Sequence, residues 1–197
     1  MTPGKLSRSE LLRKAASLSK YGVAAIQLRE KQMPAGELLR LALDIRKKVN
    51  RKVTKIIVND RIDIAMLAGL SGVHSVTDGI SADYIRKFCR GMISGKSVHS
   101  LKEALHAEKA GYDYVLYGPV FRTPAKVKYG KPQGLKKLNE VCSRIEIPVI
   151  AVGGINPARA KKCIDAGAHG VAAIRDLFNT SNIKAKLSEY KIALGEL

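Results

Sequence analysis

Gln27, Arg29 and Lys31 place an amide and two cations at every second position of one short segment. In extended chain, alternate side chains share a face, so all three point the same way. Guanidinium and ammonium groups both neutralise phosphate oxygens and donate hydrogen bonds to them, so the set suits a large anion such as a diphosphate. Read as structure only, the same residues form a solvated strand edge. A second group lies near the C-terminus. The apolar run Pro148-Val149-Ile150-Ala151-Val152 stops at Gly153-Gly154-Ile155-Asn156-Pro157, and Gly170-Val171-Ala172-Ala173-Ile174 leads straight into Arg175-Asp176-Leu177. Glycines let backbone N–H groups approach an anion closely, and Asn156-Pro157 has the form of a helix cap and first helical residue. A tight connection with no ligand is the structural alternative.

Between these groups, Asn59-Asp60 ends another apolar run. It offers hard oxygen atoms to Mg²⁺, which takes one or two carboxylates together with phosphate oxygens and water. The same pair equally serves as a cap for a helix starting at Ile62. Lys126, in a loop with Lys128 and Lys131, is placed to close over an anion, or else is ordinary loop charge. No nucleophile–histidine–acid set is present: His74 and His99 end strands without a carboxylate partner in the sequence. The inventory favours charge neutralisation over acid–base catalysis.

These residues need a scaffold that brings distant strand ends together, and the alternation of helix and strand signals supplies one. Ser7-Arg8-Ser9-Glu10 and Ser100-Leu101-Lys102-Glu103 are capping boxes. Apolar runs at 23–28, 55–58, 72–74, 92–97, 114–117, 148–152 and 170–174 alternate with amphipathic stretches, and the connections are short apart from 118–134. Repeated βα units with mainly apolar strands imply a parallel sheet covered by helices. The fold class is therefore α/β, a TIM (β/α)8-type barrel. The count is seven strands and eight helices with a helix first, so the barrel's first strand is absent or that edge is closed differently. In such a barrel function sits at the C-terminal strand ends, where the loops after the last two strands commonly hold phosphate.

The chain of 197 residues reads as one domain over 1–197, short beside the ~250 residues usual for this fold. With 35 Lys and Arg against 17 Asp and Glu, the formal charge is +18, a field that attracts polyanions and phosphorylated metabolites alike. The basic residues are spread along the chain and do not alternate with aromatics, so nucleic acid is the less favoured partner. No run approaches the ~20 apolar residues of a membrane span, and the N-terminus lacks the apolar core of a signal peptide. Cys89, Cys142 and Cys163 show no CxxC spacing and read as free thiols of a cytoplasmic protein. The oligomeric state is left open, a homo-oligomer included.

Six ordered segments resemble the thiamine-phosphate synthase/thiazole tautomerase family: Gln27-Leu28-Arg29-Glu30-Lys31, Ile57-Val58-Asn59-Asp60-Arg61, Gly72-Val73-His74, Ser97-Val98-His99-Ser100, Tyr117-Gly118-Pro119-Val120-Phe121-Arg122-Thr123 and Ala151-Val152-Gly153-Gly154-Ile155. The resemblance runs from residue 7 to residue 180. It implies a βα barrel whose first strand, an apolar run ending in Thr-Asp, is the piece missing here. It further implies a synthase that joins hydroxymethylpyrimidine diphosphate to a thiazole phosphate. Carried over by position, Gln27, Arg29, Lys31, Asn59, Ser97 and Lys126 would bind the pyrimidine diphosphate, with Arg29 and Lys126 as catalytic cations. Thr123, Gly154, Ile174 and Arg175 would hold the thiazole phosphate, and Asp60 the Mg²⁺.

Three positions depart from the family pattern. The second metal-binding Asp falls on Gly79, with Asp78 one place before it. The usual Thr-x-Thr is Thr123-Pro124-Ala125, and Arg175 replaces a Ser. The tautomerase branch also lacks the second Asp, but it carries a catalytic His where this chain has Pro119, and proline cannot shuttle a proton. The synthase is the favoured expectation and the tautomerase, or a weakly active relative, the alternative. A basic nucleic-acid-binding regulator, motivated by charge alone, is a remote third.

Overall fold

The apolar runs become strands because the helices between them need a face to cover. In the computed structural model, which describes residues 1–4, 6–123 and 132–196, seven parallel strands run in sequence order. They are β1 (Ala25–Leu28), β2 (Lys55–Asn59), β3 (Gly72–Ser75), β4 (Ile93–Val98), β5 (Tyr114–Tyr117), β6 (Val149–Val152) and β7 (Gly170–Ala172). Each pairs with the next in register, from Gln27 opposite Ile57 to Val152 opposite Ala172. The result is a curled parallel sheet, the βα layout that the sequence predicts, with seven strands.

The helices are α1 (Arg8–Lys20), α2 (Ala35–Lys48), α3 (Ile62–Ala68), α4 (Ala82–Phe88), α5 (Leu101–Lys109), α6 (Gly134–Cys142), α7 (Pro157–Asp165), α8 (Arg175–Phe178) and α9 (Ile183–Leu194). Sequence pattern predicts eight of these nine helices of the described residues. The extra one, α8, is four residues long and too short to show a period. Both expected capping boxes form at their Ser: Ser7 and Ser100 accept from the N–H groups of Glu10 and Glu103. Asn156 caps α7 in the same way, accepting from Arg159 N at 2.9 Å, with Pro157 opening the helix.

Strand side chains of one parity pack outwards on the helices. Ile26, Leu28, Ile56, Val58 and Val73 join Leu41, Ile45, Leu138 and Ala160 in the main apolar cluster. The other parity faces the inside of the curl, with Gln27, Asn59, His74, Gly95, Ser97 and Leu116 near the carboxyl end. Among the described residues β1 and β7 are not paired to each other. Beside β1 lies the N-terminal segment instead: Thr2 N donates to Gln27 O (2.9 Å) and Arg29 N to Thr2 Oγ1 (2.8 Å). The helix layer does close there, with α9 packed against both α7 and α1 and Lys14 Nζ donating to Thr180 O at 2.9 Å.

Candidate functional site

Burial alternates along 26–31: Ile26, Leu28 and Glu30 are buried, Gln27 and Arg29 half-buried, Lys31 exposed. The face predicted from spacing therefore exists, and it opens into a cavity of about 860 Å³ at the carboxyl ends of the strands. Arg29, Lys31, Asn59 and Ser97 line it from one side. Thr123, Gly154, Ile174 and Arg175 line it from the other. Eight predicted site residues thus share one chamber. Arg175 also donates to Thr123 Oγ1 at 2.9 Å, tying the loop after β7 to the one after β5.

Gly153 and Gly154 adopt φ of +102° and +66°, a region that only glycine enters without strain. Contact adds a second reason. A Cβ on Gly153 would stand 2.6 Å from Pro119 Cα, and one on Gly154 would stand 2.8 Å from Arg122 O. The two glycines thus let the loop after β6 lie directly on the segment after β5, which begins with the cis Gly118-Pro119 bond.

The remaining predicted residues are placed differently. Gln27 sits behind Asn59, its Nε2 donating to Asn59 Oδ1 at 3.4 Å, and does not line the chamber. Asp60 lines an adjoining pocket of about 270 Å³ together with Glu30, Lys31 and Arg61. Asp78 is exposed and lines neither space. Lys126 lies outside the described residues.

Asp60 adopts φ +57°, which Asp tolerates better than most residues. It does not cap α3, whose N-cap is Arg61 with no side-chain hydrogen bond. Its Oδ1 is buried without a hydrogen-bond partner among the described residues. A buried unpaired carboxylate oxygen is costly, and one hard oxygen of this kind fits Mg²⁺ that draws its other ligands from phosphate and water. The place of a second carboxylate is filled otherwise. Gly79 packs so tightly that a Cβ there would come within 2.3 Å of Asp60 Oδ1. Lys96 Nζ donates to Val76 O and Thr77 O, both at 2.7 Å, fixing this loop. Burial lowers the Lys96 pKa, while Asp60, Asp78 and Glu103 oppose that shift.

Sequence spacing missed several cavity residues. Arg122, Arg159 and Lys186 add to Arg29, Lys31 and Arg175, so among the described residues six cations line the chamber against the single carboxylate of Asp176. Asp176 is itself engaged, accepting from Tyr190 OH at 2.8 Å. Arg159 donates to Gly154 O at 2.7 Å and lies 5.0 Å over the Phe121 ring. Its place in the first turn after Asn156 was the available signal. His99 lines the chamber too, its Nδ1 bonded to the Gly118 carbonyl. Because a carbonyl only accepts, Nδ1 carries a proton and donates it to that oxygen.

Beneath Ser97, His74 is fully enclosed. Its Nε2 lies 2.8 Å from Ser97 Oγ and its Nδ1 3.0 Å from Tyr114 OH. Burial, and then the neighbouring Lys96, push its pKa down to about 3. The histidine that sequence left without a carboxylate partner is a neutral one held by hydroxyls.

A parallel βα curl with a cationic chamber at its carboxyl rim, closed by a Gly-Gly loop, defines the class: a TIM-type barrel with a cationic rim. The profile of the family described as thiamine monophosphate synthase matches residues 1–177, and the chain belongs to that family. It is 38% identical over 196 residues to a thiamine-phosphate synthase of Methanocella arvoryzae, covering 95% of this chain and 91% of that one. It is 42% identical over 154 residues to a putative thiamine-phosphate synthase of Geobacter sulfurreducens, covering 78% and 72%. The solved thiamine phosphate pyrophosphorylase of Pyrococcus furiosus superposes with a TM-score of 0.84 at 30% identity, over 98% of this chain and 91% of that one. No helix among the described residues is long and apolar enough to cross a membrane.

Proposed function

We propose that the protein is a cytoplasmic thiamine-phosphate synthase, coupling hydroxymethylpyrimidine diphosphate to thiazole phosphate and releasing pyrophosphate. The observation that carries this reading is the single chamber lined by Arg29, Asn59 and Ser97 on one side and Thr123, Gly154 and Arg175 on the other. Two phosphorylated heterocycles side by side need a common space with cations at both ends, and six cations meet that need.

In this reading Arg29, Lys31, Asn59 and Ser97 bind the diphosphate, with Gln27 orienting Asn59 from behind. The bond from the pyrimidine methylene carbon to the diphosphate oxygen breaks, and its electron pair leaves with pyrophosphate. The lone pair of the thiazole nitrogen then forms the new carbon–nitrogen bond. Arg29 stabilises the charge that grows on the leaving group, with Lys126 assigned the same task. In many enzymes, preformed donors and cations of this kind supply most of the rate enhancement. Thr123, Arg175 and the backbone of Gly154 and Ile174 anchor the thiazole phosphate, which holds the nucleophile in line. A Mg²⁺ on Asp60 would neutralise diphosphate charge when bound, and Asp78 would reach it only through a shift of the loop that Lys96 holds.

One observation favours a second reading. His99 lines the chamber with its Nδ1 donating to the Gly118 carbonyl, and an imidazole is the kind of group a proton-moving tautomerase uses. The two separate in one assay. With both substrates and Mg²⁺, a synthase forms thiamine phosphate and pyrophosphate in equal amounts. No product above blank, together with Mg²⁺-independent isomerisation of a thiazole carboxylate phosphate, would establish the tautomerase instead. Arg29→Ala should depress synthase turnover by roughly 10²-fold if it stabilises the departing diphosphate.

A further inference from the structure

Ser97 stands at the chamber wall with its hydroxyl against the His74 ring, and that ring has a second contact on its far side, Tyr114 OH. Room for the phenol comes from Gly95: a Cβ there would lie 2.1 Å from the Tyr114 ring. The three residues sit on β3, β4 and β5, all on the inner face of the sheet.

Hydrogen-bond direction in this chain has two self-consistent forms. In the first, Tyr114 OH donates to Nδ1, Nε2–H donates to Ser97 Oγ, and the Ser97 proton is left to point into the chamber. In the second every arrow reverses. Ser97 then spends its proton on Nε2, and the Tyr114 proton needs another acceptor. Tyr114 OH has no other hydrogen-bond partner among the described residues, and its half-buried ring lies between His74 and Gly95. A phenol hydroxyl is far more acidic than a serine hydroxyl, so it is the better donor and the poorer acceptor of the two, and the basic ring nitrogen facing it takes its proton bond; the first form wins. Enclosure of His74 keeps the ring neutral, as its depressed pKa also reflects; a neutral ring has one donor and one acceptor nitrogen.

We infer that Tyr114, through His74, fixes Ser97 as a hydrogen-bond donor toward the chamber, so that Ser97 offers a proton to a phosphate oxygen instead of a lone pair. Tyr114 and His74 are positioning residues that touch no substrate. The inference rests on the reading of Ser97 as a diphosphate contact for its functional consequence, while the tautomer itself stands independently. An oxyanion ligand accepts hydrogen bonds only, so a serine facing it with lone pairs would repel it. The chain sets the polarity of one wall of the site from the floor of the barrel.

The first test is the ¹⁵N–¹H correlation spectrum of the His74 ring in the intact wild-type protein. The expected pattern is a proton on Nε2 and none on Nδ1; a proton on Nδ1 overturns the inference, whatever the protein binds. The second is a double-mutant cycle read by calorimetry with inorganic pyrophosphate and Mg²⁺. Tyr114→Phe deletes one oxygen and frees the ring to take either tautomer, so affinity should fall roughly two- to tenfold. In a Ser97→Ala background the same change should have no effect. An equal loss in both backgrounds would make Tyr114 merely structural and overturn the coupling. Wild-type protein that binds no pyrophosphate would instead refute the diphosphate site, and with it the functional half of the inference, leaving the spectrum to decide the tautomer.

Discussion

Acid should destabilise this protein through His74, and the size of the effect follows from its burial. In the unfolded chain the imidazole takes a proton near pH ~6.5, whereas in the folded chain enclosure and Lys96 lower its pKa to about 3. Between those values the unfolded state binds the extra proton, so stability is complete above the unfolded pKa and is lost as pH falls toward the folded one. The full span is a ceiling of about 5 kcal/mol, and the share already lost at about pH 5 is about 2 kcal/mol. With a urea slope near ~2 kcal/mol per molar, that loss moves the unfolding midpoint by ~1 M. His74→Gln removes the titration while keeping a side-chain amide to face Ser97. Urea titrations at neutral pH and at about pH 5 should show the wild-type midpoint falling by ~1 M more than that of the variant. The carboxylates titrate alike in both proteins and cancel in the difference. Equal midpoint shifts would defeat this prediction, because they would mean that His74 protonates in the fold at no cost.

Other expectations follow from particular contacts. Gly154→Ala places a side chain at φ +66° and 2.8 Å from Arg122 O; it should cost about 1–2 kcal/mol of stability, checked by thermal unfolding, and raise KM for the thiazole phosphate more than for the diphosphate. Arg175→Ala should raise the same KM roughly tenfold through loss of a charge-assisted contact, seen in initial rates at saturating diphosphate. Asp60→Ala should abolish the response of pyrophosphate affinity to added Mg²⁺ while leaving metal-free binding in place, a comparison that calorimetry makes directly. Duplex DNA should bind weakly and with a steep salt dependence; an affinity tighter than roughly 1 μM near physiological ionic strength would revive the nucleic-acid reading.

What could be seen in the sequence was whatever depends on neighbours along the chain. The alternation at Gln27, Arg29 and Lys31, the Gly153-Gly154 turn, and the caps at Ser7, Ser100 and Asn156 are local, and each appears in the structure at its predicted residue. What escaped depends on neighbours across the sheet. His74, Ser97 and Tyr114 come from three strands and meet only once the register sets Gly95 beside both His74 and Tyr114. Arg159 and Lys186 belong to helices, and their approach to the rim is decided by where α7 and α9 pack. Helix α8, of four residues, offers no period to detect. Of the two readings of Asn59-Asp60, the helix cap fails: Asp60 is at φ +57°, its carboxylate lies by Gly79, and α3 has no side-chain cap.

The functional reading stands on one rim chamber accepting two phosphorylated ligands at once, and calorimetric titration of thiazole phosphate into protein already saturated with pyrophosphate and Mg²⁺ puts that to the proof. One-to-one binding of thiazole phosphate with pyrophosphate still in place is the expected result. Mutual displacement of the two ligands, or no heat from thiazole phosphate under either condition, would overturn it.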